Sequence, residues 1–171
     1  EDPVRGFELL KQAADHEDPL ALCALGACYE NGIGTPQDLK EAVFCYTAAM
    51  DRGSVEAAFQ LAELHFLGSG VERDDQKALE LYRKAAEGGD HRALFMLGFC
   101  FETGAGVERD FEKAASLYRE AAQKGVQEAN CFLGVLYFNG KGVPEDRAEA
   151  VRLFRLAADE GFPRANFLLG Y

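Results

Sequence analysis

Residues 91–126 read HRALFMLGFCFETGAGVERDFEKAASLYREAAQKGV. Ala93, Leu97, Gly98 and Phe101 recur at spacings of three and four, the mark of one helical face. Gly104-Ala105-Gly106 then breaks the pattern, because glycine accepts the positive φ angles that stop a helix. Asp110 follows as an N-cap whose carboxylate can accept from free amides of the next first turn. Ala114, Leu117, Tyr118, Ala121 and Ala122 give a second apolar face, closed by Gly125. The segment therefore predicts two helices joined by a short glycine loop.

The same unit repeats along the chain with a period of 36 residues and no slippage. Leu25-Gly26, Leu61-Ala62, Leu97-Gly98, Leu133-Gly134 and Leu169-Gly170 mark the first helix. The pairs Gly32/Gly34, Gly68/Gly70, Gly104/Gly106 and Gly140/Gly142 mark the loop. Asp38, Asp74, Asp110 and Asp146 open the second helix, and Tyr46, Tyr82, Tyr118 and Phe154 sit in its middle. Small residues such as Ala57, Ala93 and Gly98 let helices approach, and the leucines and aromatics fill the remaining space. A single hairpin cannot bury its apolar faces alone, so successive hairpins stack. The expected fold is all-α, a right-handed α-α superhelix (solenoid) of 36-residue helix-turn-helix repeats.

The predicted organisation is one array over residues 1–171. Residues 1–18 give the second helix of a partial repeat, and 19–54, 55–90, 91–126 and 127–162 are whole repeats. Residues 163–171 begin another, so the chain reads as a fragment of a longer protein. Phe167, Leu168, Leu169 and Tyr171 are expected to be partly bare, offering a route to homo-oligomers through terminal faces.

Composition narrows the function. A formal net charge of −11 with no basic stripe argues against nucleic acid and anionic membrane surfaces as ligands. No apolar run approaches the roughly 18 to 20 residues that span a bilayer. Five cysteines without regular spacing do not form a disulfide framework, which favours a reducing compartment. The reading is cytoplasmic, with the periplasm or another secretory compartment left open.

The pattern Ala93-x-x-x-Leu97-Gly98-x-x-Phe101-x-x-Gly104-x-Gly106-Val107-x-x-Asp110-x-x-x-Ala114-x-x-x-Tyr118-x-x-Ala121-Ala122-x-x-Gly125 resembles the Sel-1-like repeat, a cousin of the tetratricopeptide repeat with a longer loop. The resemblance covers essentially the whole chain. Ala62 departs from it by replacing glycine, His65 by replacing an aromatic, and Gly6 by replacing an alanine. The resemblance implies an adaptor or scaffold, of the kind used in signalling and quality-control systems. A cysteine-rich secreted subgroup bridges positions that here hold Ala86 and Leu94, or Ala122 and Asn130, so it matches poorly.

Positions that vary between repeats point to the binding face. A step of about 100° per residue places four first-helix positions opposite the repeated core residues. They hold Phe59, Phe95 and Cys131; Glu63, Phe99 and Val135; Phe66, Glu102 and Phe138; and charged residues such as Glu56, Arg92 and Arg164. First helices of such hairpins line the concave side. Phe59, Phe66, Phe95, Phe99, Val135 and Phe138 are the expected partner contacts, with Glu63 and Glu102 for basic groups. The expected partner is a protein or peptide with an apolar or basic segment. The alternative is that these phenylalanines pack on one another and leave no groove.

Catalysis finds little support. The Gly-x-Gly loops lack the third glycine and preceding strand of a dinucleotide site, and lack the Gly-Lys-Ser/Thr of a phosphate loop. No Cys-x-x-Cys or paired histidine suggests a metal, so neither metal nor cofactor is expected. Cys28, Cys45 and Cys100 occupy apolar positions, with a Cys28–Cys45 bridge as a minor alternative. His65 is expected to be a hydrogen-bonded core histidine. Glu30 and Glu102 should lie roughly 20 Å apart at about 8–10 Å per packed helix, too far for a glycosidase pair. A non-enzymatic scaffold is the leading reading. An enzyme or small-molecule binder acting on an envelope polymer, and a self-assembly module, stand behind it.

Overall fold

Every second helix of a whole repeat opens on its aspartate. In the computed structural model, which describes residues 2–170, Asp38, Asp74, Asp110 and Asp146 all have extended backbone. Their carboxylates accept from amides two or three residues on, at 2.9–3.2 Å. Each cap satisfies donors that the first turn would otherwise leave open. The whole repeats' first helices end on a left-handed glycine where the cap is described, at Gly32, Gly68 and Gly140.

Ten helices result among the described residues, with no strand. They are α1 (Pro3–Ala14), α2 (Pro19–Asn31), α3 (Leu39–Asp51), α4 (Val55–Leu67), α5 (Asp75–Glu87), α6 (His91–Thr103), α7 (Phe111–Gln123), α8 (Glu128–Asn139), α9 (Arg147–Asp159) and α10 (Pro163–Leu169). The chain gathers into two compact units, Glu1–Asp90 and His91–Tyr171. In the first, α2 packs on α3 and α4 on α5, with α1 against α2 and α3 against α4. In the second, α6 packs on α7 and α8 on α9, with α7 against α8 and α9 against α10.

In three of the hairpins a glycine of the first helix meets the aromatic ring of the second. A β-carbon at Gly26 would lie 2.8 Å from the Tyr46 ring, one at Gly98 2.8 Å from Tyr118, and one at Gly134 2.6 Å from Phe154. Those rings are fully or almost fully buried. Alanines complete the seam: Ala42, Ala78, Ala114 and Ala150 are wholly inaccessible to solvent.

The loops are nested on neighbouring backbone. Gly34 faces the carbonyl of Pro3, Gly70 that of Leu39, and Gly142 that of Phe111, in each case at the start of the preceding second helix. Added β-carbons would lie 2.1, 2.5 and 2.2 Å away from the nearest atom. The repeats 19–54, 55–90 and 127–162 thus rest on the preceding helix through main chain as well as through side chains. One position departs from the glycine pattern. Glu17 adopts φ 60° where later repeats place Gly53, Gly89, Gly125 and Gly161, and its carboxylate pairs with Arg52 at 2.5 Å.

Candidate first-helix binding face

The buried tyrosines carry a polar atom into the seam, and each finds a carboxylate on the first helix. Tyr46 donates to Glu30 at 2.7 Å, Tyr118 donates to Glu102 at 2.6 Å, and Tyr82 donates to Glu63. Glu30 and Glu102 occupy the same repeat position, in the last turn of α2 and of α6. Glu63 lies three positions earlier in its helix, and Phe66 takes the place equivalent to Glu30. The fourth hairpin has Phe154 instead of tyrosine, and both first-helix positions are apolar, Val135 and Phe138. A carboxylate is therefore present wherever a hydroxyl needs an acceptor and absent where none does. Burial, then the bonded carboxylate, pushes the Tyr46 and Tyr118 hydroxyls well above the ordinary phenol range, so both remain donors.

In the unit His91–Tyr171 the aromatic positions join into one cluster. Phe132 of α8 meets Phe95 edge-on at 5.0 Å, Tyr118 at 5.5 Å and Phe99 at 6.3 Å. Phe95 also lies 5.6 Å from Tyr118. Arg164, from α10, holds its guanidinium 5.1 Å above the Phe132 ring. Phe95, Phe99, Phe132 and Glu102 are half-buried, so the cluster has an exposed edge. Val135 is half-buried beside fully buried Cys131, and Phe138 is 42% exposed with Arg147 5.5 Å over its ring.

In the unit Glu1–Asp90 the arrangement is more closed. Phe59 is only 9% exposed, with its ring 5.8 Å from Tyr82. Phe66 is half-buried, 6.4 Å from Tyr82, and Arg73 lies 5.6 Å over it. The expectation that Phe59 and Cys131 point away from the core is therefore corrected. The 100° argument set one helix against one core. These first helices are apolar around most of their circumference and are packed by more than one neighbour. Glu63 and Glu102 each carry a tyrosine hydroxyl in addition to their surface exposure.

Phe132 escaped the sequence reading, and Arg164 was placed on the variable face but not among the expected contacts. Phe132 sits at a position held elsewhere by Ala24, Gln60, Met96 and Leu168, and that variability was the available signal. Of the terminal residues, Phe167 is 66% exposed, while Leu168 and Leu169 are half-buried against the α8–α9 core. Tyr171 lies outside the described residues.

The cysteines are free thiols. Cys28, Cys45, Cys100 and Cys131 are buried and Cys23 half-buried, and burial followed by Glu41 pushes Cys45 up to about 11. Such a thiol is a core side chain, not a nucleophile. No group of three or more metal-ligating side chains gathers among the described residues. No helix among them is long and apolar enough to cross a membrane.

His65 is corrected as well. Its Nδ1 is buried with no hydrogen-bond partner, where a bonded core histidine was expected. Burial lowers its pKa from 6.5, Lys77 adds to that, and Asp74 opposes it. The folded state thus binds fewer protons than the unfolded chain between the lowered value and the ordinary one. Stability is full above that window and falls as pH drops through it. His65→Phe, which copies Phe101 in the equivalent position, should remove this component. Urea midpoints at pH 7.5 and pH 5.5 check it: the difference between them should shrink in the variant.

These features define a class: all-α helical-repeat proteins built from stacked helix hairpins. Comparison with known proteins fixes the family. The Sel1 repeat model matches residues 1–18, 19–54, 55–90, 91–126 and 127–162, and the chain belongs to the Sel1 repeat family. A Sel1 repeat protein of Oxalobacter formigenes is 34% identical over 96% of this chain and 67% of its own, with a TM-score of 0.89. A protective antigen of uropathogenic Escherichia coli with the same repeat fold is 34% identical, with a TM-score of 0.90. That match covers 99% of this chain and 36% of the antigen. Chitin synthase regulatory factor 3 of Schizosaccharomyces pombe is 38% identical over 68 residues, 39% of this chain and 7% of that protein. Sel1 repeat proteins generally act as protein-interaction scaffolds.

Proposed function

We propose that this chain is a protein-interaction scaffold that receives an apolar or basic segment of a partner on its first-helix faces. The observation that carries the reading is the half-buried edge formed by Phe95, Phe99 and Phe132 beside the tyrosine-held Glu102. Aromatic side chains supply contact area at low entropic cost, and a carboxylate already fixed by a hydroxyl loses little freedom on binding. Val135 and Phe138 extend the apolar surface in the same unit. The net charge of −11 favours basic partners over acidic ones.

Selection of binders from a displayed random peptide library, followed by affinity measurement on variants, tests this. Phe99→Ala and Phe138→Ala are expected to weaken selected peptides about tenfold or more while circular dichroism stays unchanged. Phe59→Ala is a poor probe, because its ring is part of the core. Binders indifferent to Phe99, Glu102 and Phe138 would remove the face from consideration.

A further inference from the structure

Arg164 occupies a place that a ligand's cation would suit. Its guanidinium stands 5.1 Å from the centroid of Phe132, inside the range of about 6 Å at which a cation is attracted to a ring face. Phe95, Phe99 and Tyr118 surround that ring, and Tyr118 is bonded to Glu102. The arginine's charge is felt at this site, since it opposes the upward shifts of the Tyr118 hydroxyl and the Cys131 thiol. Arg164 itself is exposed, on the short helix α10. Its stem can swing away without opening the core.

We propose that the Phe132 cluster with Glu102 is a guanidinium-recognition site for an arginine-bearing peptide segment, and that Arg164 fills it in the free protein. The inference rests on the scaffold reading and names the group recognised. Two features support charge complementarity. The rings present negative faces to a cation, and Glu102 is held at the cluster by the hydroxyl of Tyr118, which acts as a positioning residue. A partner's arginine must displace Arg164, so the chain's own side chain sets a threshold against weak cations.

The test uses N-acetyl-arginine amide as probe, with N-acetyl-citrulline amide as its uncharged isostere, followed by NMR on the whole chain. In Arg164→Ala the arginine probe should shift the Phe132 and Tyr118 ring signals and bind about three- to tenfold more tightly than to the wild type. Citrulline should produce no saturable shift, and Glu102→Gln in the Arg164→Ala background should lose the gain. Arg164→Gln keeps the stem and serves if the alanine variant is disturbed. Equal binding to wild type and variant, equal binding of citrulline, or indifference to Glu102→Gln would overturn the proposal. Library-selected peptides that still depend on Phe99 and Phe138 would, in that event, leave the scaffold reading in place.

Discussion

Gly142→Ala is expected to lower the unfolding free energy by about 3 kcal/mol or more, while Gly125→Ala costs only about 1 kcal/mol. Both glycines have positive φ, 68° and 94°, so both alanines meet the left-handed penalty. Their surroundings differ. A β-carbon at Gly142 would fall 2.2 Å from the carbonyl carbon of Phe111 and 2.5 Å from the amide nitrogen of Glu112. Nothing lies within 4 Å of one at Gly125. A crowded side chain can rotate away; crowded backbone at the start of α7 cannot move without dragging its helix. Urea unfolding of the two variants, with a check that the slope of the transition is preserved, separates conformational strain from crowding. Equal losses would show that the loop is not seated on Phe111.

The second large effect concerns the tyrosine–carboxylate pairs. Phe154→Tyr adds a hydroxyl at a ring that is 3% exposed, in a hairpin whose equivalent first-helix positions hold Val135 and Phe138, neither of which can accept a hydrogen bond. It should cost about 2 kcal/mol, the desolvation of an unpaired buried polar group. Phe138→Glu places a carboxylate where Glu30 and Glu102 stand in their repeats. The double variant should recover about 1–2 kcal/mol relative to the sum of the single changes. The packing of Gly134 on Phe154 matches that of Gly98 on Tyr118, which makes the transplant geometrically sound. A double-mutant cycle by urea denaturation measures the coupling, and a value near zero would deny that the pairing rule governs this position.

The elements were legible because their signals are local. Val55 and Leu67 bound α4 as the apolar spacing and the following glycine require, and four aspartates cap the helices they precede. The polar pairs were hidden because the acceptor moves: Glu30 and Glu102 share one position, but Tyr82 uses Glu63. That same repeat has Ala62 where the others have glycine. Phe132 was missed for a related reason. Its partners come from a neighbouring hairpin, and spacing along one helix does not report which side a neighbour covers. Phe59 shows the converse error, a variable residue that is nevertheless buried. Variation between repeats marked change, and some of that change is internal compensation.

The nesting of Gly34, Gly70 and Gly142 on preceding main chain has a bearing on how such a protein can diversify. Many folds acquire new ligands by lengthening or decorating their connecting segments. Here three of the connectors leave no space for even a methyl group at their second glycine, so novelty is channelled into substitutions along the rods. Growth in length then proceeds by copying whole 36-residue modules, because only a module of that size arrives with a seat already cut for the next one.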